Sequence, residues 1–105
     1  MKEITPKELK QHMDTGNIPA LLDVREIWEY EICQIDGSVN INMSQIPTRM
    51  TELKKDQEIV VICHHGIRSM QVASYLEAAG YTNISNLVGG IDAWARMVDP
   101  AMAQY

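Results

Sequence analysis

The sequence predicts an α/β fold in which a mostly parallel sheet carries helices on both faces. Three observations predict it. Short apolar runs alternate along the whole chain with segments of helical spacing, the pattern of a wound parallel sheet. The run Ile59-Val60-Val61-Ile62 is β-branched without polar alternation, as in a central strand covered on both sides. Finally, 46% hydrophobic and 22% charged residues in 105 positions suit one domain, residues 1–105, with a core of its own.

Each element has its own signal. Thr5-Pro6-Lys7-Glu8 opens a helix: Thr5 caps, Pro6 fits the first helical position, and Glu8 stands at the capping-box spacing. Gly16-Asn17 stops it. Ala20 to Val24 is a short buried strand. Glu26 to Ile32 gives a turn or two of helix, with Ile27 and Tyr30 facing inward. Asp36-Gly37 turns the chain, and Ser38 to Ile41 is a brief strand. Ser44 to Leu53 reads as helix, confined by Pro47 to residues after about 46. The strand Glu58 to Cys63 follows. Ser69 to Ala79 is a helix on the spacing of Val72, Ala73, Leu76 and Ala79, with Gly80 beyond its end. Asn83 to Leu87 is the last strand, and Ile91 to Met97 the last helix. Pro100 ends regular structure, so the core is expected over about residues 4–97 with a mobile C-terminal tail.

Charge and composition narrow the function. A net charge of −5 disfavours a phosphate backbone, so no nucleic acid partner is expected. A locally positive site can still take a small anion. No apolar run approaches the roughly 20 residues of a membrane span, and Met1 to Gln11 lacks the apolar core of a secretory signal. Two cysteines, Cys33 and Cys63, are too few for a disulfide framework. A reducing, cytoplasmic location is therefore expected.

Parallel α/β sheets place their sites beyond the C-terminal strand ends. That singles out Asp23 to Glu26, Cys63 to Ser69 and Val88 to Asp92. In the second segment a cysteine ends the most buried strand just before a helix. Backbone N–H groups of such a loop form a nest that favours negative charge and holds a thiolate. Gly66 lets the backbone curl, Arg68 at the rim offers a fork of donors to an anion, and Ser69 caps the helix or steadies the loop. A buried cysteine alone is more often packing than catalysis. The strand, Cys63, His64, His65, Gly66, Ile67, Arg68, Ser69, helix order makes Cys63 a candidate nucleophile.

This loop resembles the active-site loop of single-domain rhodaneses, which are sulfurtransferases. Leu22-Asp23-Val24-Arg25-Glu26 with Trp28-Glu29-Tyr30, Gly37-Ser38-Val39-Asn40-Ile41, and Leu87-Val88-Gly89-Gly90-Ile91-Asp92-Ala93-Trp94 resemble the family's other signatures. The resemblance implies a rhodanese-like fold with five strands. It also implies a sulfurtransferase in which Cys63 takes the outer sulfur of an anionic donor such as thiosulfate. A thiol, cyanide or a protein acceptor then removes that sulfur from the persulfide. No cofactor and no metal are implied. A persulfide carrier serving protein partners is the alternative. Related phosphatases place one more residue between Cys and Arg, and the shorter loop here is a cradle for sulfur rather than phosphate. The chain departs from the pattern at Cys33-Gln34, where a Gly-His pair is usual, and at Asn42, where a proline is common.

The remaining residues have plainer readings. Asp23 and Arg25 are expected to pair as a structural brace, since buried charges are normally paired. Adjacent His64 and His65 are expected to point apart, which argues against a metal site and leaves them to set the loop's charge. Cys33 reads as packing. Gly89-Gly90 lacks a nucleotide-binding pattern and reads as close backbone approach to the loop. Trp28, Trp94 and the seven methionines read as packing residues.

Overall fold

A computed structural model describes residues 1–105. It shows a rhodanese-like α/β fold: five parallel strands in the order β1-β5-β4-β2-β3 and five helices. The strands are β1 Lys2–Ile4, β2 Ala20–Asp23, β3 Val39–Asn40, β4 Ile59–Ile62 and β5 Ile84–Leu87. The helices are α1 Pro6–Asp14, α2 Ile27–Ile32, α3 Ile46–Arg49, α4 Ile67–Ala78 and α5 Gly90–Met97. No helix is long and apolar enough to cross a membrane.

β4 lies at the centre, and all four of its residues are buried. Its alternate side chains feed two cores. Ile59 and Val61 join Leu22, Ile46 and Leu76 on the face of α3 and α4. Val60 and Ile62 join Leu9, Leu21, Ile91 and Trp94 on the face of α1 and α5. This explains the unalternated sequence: both faces of the strand need apolar groups. The capping box of α1 forms as expected, with Thr5 Oγ1 accepting from Glu8 N at 3.2 Å and Glu8 Oε1 accepting from Thr5 N at 2.9 Å.

Several local expectations are corrected. β1 carries no sequence signal, because it is an edge strand with only Ile4 buried; its pairing with β5 creates it. The helix expected over 44–53 is broken into a 3-10 turn Met43–Gln45, the short α3, and a second 3-10 turn Met50–Glu52. Asn42 caps the first turn through Gln45 N at 3.2 Å, and Pro47 lies at the start of α3, where its missing N–H is harmless. α4 begins at Ile67, so Ser69 sits inside its first turn; the left-handed residue before the helix is Gly66, at φ 102°. On α2 the buried residue is Glu29, while Ile27 and Trp28 are exposed, because a carboxylate with partners on other elements decides which face turns inward. Trp94 is buried as expected. The methionines are not core filler: Met1, Met43, Met70 and Met97 are exposed, and Met13, Met50 and Met102 pack only at the core edge.

Candidate active site

The strand order places β4 between β2 and β5, so the three segments singled out in the sequence lie side by side. Hydrogen bonds join them. Val24 N donates to Ile62 O at 2.9 Å, Ile91 N to Cys63 O at 2.8 Å, and Asp92 N to His64 O at 3.0 Å. Gly90, at φ 61°, permits the last two contacts. A Cβ there would overlap the carbonyl oxygens of Cys63 and His64.

Cys63 follows β4 and is 1% exposed, on the α4 face of the sheet. Its Sγ accepts from Gly66 N at 3.0 Å and lies 3.3 Å from Ser69 Oγ. The sequence led us to expect a ring of inward amides. One amide reaches the sulfur, and the Ser69 hydroxyl supplies the second polar contact. Ser69 donates to Asn86 Oδ1, and Asn86 Nδ2 donates to Gly66 O at 3.2 Å. A hydroxyl has one hydrogen, so Ser69 accepts toward the Cys63 thiol while it donates to Asn86.

Arg68 is paired with α2. Its Nη1 and Nη2 donate to Glu29 Oε2 and Oε1 at 2.7 and 2.8 Å, a bidentate pair. Glu29 also accepts from Glu26 N at 2.9 Å and from the Tyr105 hydroxyl at 2.9 Å. The Arg68 guanidinium holds the Glu29 carboxyl down at about 2, against burial, which pushes it up.

Asp23 and Arg25 form a buried pair, with Arg25 Nη2 to Asp23 Oδ2 at 2.8 Å and side chains 1% and 0% exposed. Arg25 further donates to the Cys33 carbonyl at 2.7 Å, the Glu29 carbonyl at 3.2 Å and the Tyr105 hydroxyl at 3.0 Å. Asn40 Nδ2 ties the same loop by donating to the carbonyls of Asp23 and Arg25 at 3.1 and 2.9 Å. Cys33 is buried in the opposite core from Cys63, and both thiols are free.

His64 and His65 do not point apart. Their rings lie 4.0 Å apart at 31°, and their nitrogens and an Asp92 oxygen all fall within 4.8 Å of one another. Asp92 is engaged by Arg96 Nε at 3.0 Å. Burial, then the neighbouring His65, pushes the His64 imidazole below its ordinary value. Tyr105, in the tail expected to be mobile, lies back over the site: its ring stacks on His64 at 3.9 Å and meets Trp28 edge-on at 6.0 Å. Burial pushes its hydroxyl up to about 12.

The structure brings Cys63, Gly66 and Ser69 together, pairs Asp23 with Arg25, pairs Arg68 with Glu29 and sets His64 beside His65; Glu29, Asn86 and Tyr105 were not among the site residues expected from the sequence. Asn86 had a signal: a large polar residue in the middle of a short strand needs a partner once that strand is covered. Glu29 had a weaker one, its spacing of three from Glu26, which makes the capping box of α2.

Comparison with known proteins identifies a family. The Rhodanese-like domain family matches residues 5–97. A protein of Allochromatium vinosum named sulfurtransferase is 37% identical over 98% of this chain and 96% of its own length. The probable adenylyltransferase/sulfurtransferase MoeZ of Mycobacterium tuberculosis is 38% identical over 97% of this chain, which spans only 26% of MoeZ. A crystal structure from Staphylococcus saprophyticus superposes with a TM-score of 0.86 at 34% identity, covering 93% of this chain and 97% of that one. With strands β2 to β5 and the cysteine loop inside the matched segment, the chain belongs to the rhodanese-like domain family.

Proposed function

We propose that the protein is a sulfurtransferase that carries a sulfane sulfur on Cys63. It takes the sulfur from an anionic donor such as thiosulfate and passes it to cyanide or a thiol, including a thiol on a protein. The observation that carries this reading is the Gly66 N–H at 3.0 Å from a free Sγ at the C-terminal end of β4. In the first step the Cys63 thiolate attacks the outer sulfur of thiosulfate. The new S–S bond forms as the old one breaks, and sulfite leaves with the electron pair. In the second step the acceptor attacks the outer sulfur of the Cys63 persulfide and regenerates the thiolate. The buried position of Sγ keeps water from the persulfide. Arg68, five residues after Cys63, would orient the donor's charged end. Two free cysteines fit a reducing cytoplasm. Likeness to a putative sulfur carrier protein of Bacillus subtilis, 38% identical over 88% of this chain and 50% of that protein, supports a second reading, a carrier that relays sulfur between proteins with little small-molecule turnover.

Intact-mass measurement after incubation with thiosulfate tests the site. One added sulfur is expected on the wild type and on Cys33→Ser, and none on Cys63→Ser. Loss of the added mass in Cys33→Ser, with retention in Cys63→Ser, would overturn the assignment.

A further inference from the structure

The charges around the loop are all matched. Arg25 faces Asp23, Arg68 faces Glu29, and Arg96 faces Asp92. A doubly charged donor therefore meets no surplus positive charge at this site. The pair that matters most is Arg68–Glu29, because both terminal nitrogens of Arg68 are given to the carboxylate. The two partners are not equally free. The Glu29 side chain is 5% exposed and anchored by Glu26 N and Tyr105, whereas Arg68 is 32% exposed. Glu29 is the fixed partner and Arg68 the movable one.

We propose that Glu29 determines donor specificity by competing with the donor for Arg68, so that the site favours a persulfide of low charge over thiosulfate. This rests on the reading of Cys63 as the sulfur acceptor. With such a donor, R–S–SH, the Cys63 thiolate forms a bond to the outer sulfur as the donor's S–S bond breaks. R–S⁻ leaves with the electron pair, and the proton stays on the transferred sulfur. No oxidant or reductant enters. That donor needs no cation at its leaving group beyond what water supplies to a thiolate. Sulfite leaves with two charges and needs a free one.

Steady-state kinetics with two related donors test the role of Glu29. Thiosulfate is a dianion, and methanethiosulfonate is a monoanion of similar shape. Glu29→Gln keeps the side-chain shape, removes the charge and leaves a single oxygen to accept from Arg68. It should lower the thiosulfate KM about tenfold and the methanethiosulfonate KM about threefold, in proportion to donor charge. Both gains should vanish on an Arg68→Ala background. Glu29→Asp keeps the charge but is too short to hold both nitrogens, so it should give a smaller gain for thiosulfate if Glu29→Gln fails to fold. An unchanged or raised thiosulfate KM, equal gains for both donors, or gains that survive without Arg68 would overturn the proposal. If neither of these donors nor a low-charge alkyl persulfide adds sulfur to the wild type by mass, the reading of Cys63 fails as well. If sulfur adds but the KM pattern is flat, only the role of Glu29 fails.

Discussion

Two guanidinium–carboxylate pairs stand at the C-terminal edge of the sheet, joined by one phenol. The Tyr105 hydroxyl accepts from Arg25 and donates to Glu29. Asp23–Arg25 is sealed from water, and each guanidinium nitrogen of Arg25 has a partner: Asp23, two backbone carbonyls and Tyr105. Glu29–Arg68 is half sealed: the carboxylate is buried, and the guanidinium has partners only on that carboxylate and reaches solvent. The difference separates a brace from a contact that can open. Loss of a partner in the first pair strands a charge without water, whereas in the second Glu29 keeps its bonds from Glu26 N and Tyr105, and Arg68 keeps water.

The largest effect should come from breaking the sealed pair. Arg25→Ala should cost about 3–5 kcal/mol of stability, against about 1 kcal/mol for Arg68→Ala, whose site water can reach. Urea unfolding midpoints check the contrast, and equal costs would erase the distinction between the pairs. The second effect is a pH dependence. Glu29 titrates at about 2 in the fold against an ordinary 4.5, so the unfolded chain takes up the proton first as pH falls. Its contribution is present in full above about 4.5 and lost as pH falls toward about 2, worth about 1–3 kcal/mol. Stability measured across that window should decline less steeply in Glu29→Gln than in the wild type. The smallest effect is at the link. Tyr105→Phe should cost about 1 kcal/mol, since Arg25 and Glu29 each lose one of several hydrogen bonds; thermal unfolding reads it.

What the sequence showed of this edge depended on how far apart the partners lie. Asp23 and Arg25 are two residues apart at the end of an apolar run, so burial and pairing were both readable. Cys63 was readable because the β-branched run before it fixed the central strand. Ser69 and Asn86 are 17 residues apart, Glu29 and Arg68 39, and Glu29 and Tyr105 76. Spacing along one helix or strand carries no information on such contacts; only the closed sheet brings them together. The inward face of α2 was misjudged for that reason. Apolar spacing favoured Ile27, but the guanidinium waiting on α4 selected Glu29. β1 escaped notice because a three-residue edge strand with one buried side chain has no pattern to show.

The missing side chain of Gly90 has a mechanical consequence. With its backbone pressed against the carbonyls of Cys63 and His64, and with the amides of Ile91 and Asp92 bonded to them, the start of α5 and the cysteine turn form one body. Neither can fluctuate open alone, so amide hydrogen exchange in the two segments is tied to a shared opening event. The thiol is thereby held by a segment more than twenty residues away as firmly as by its own strand.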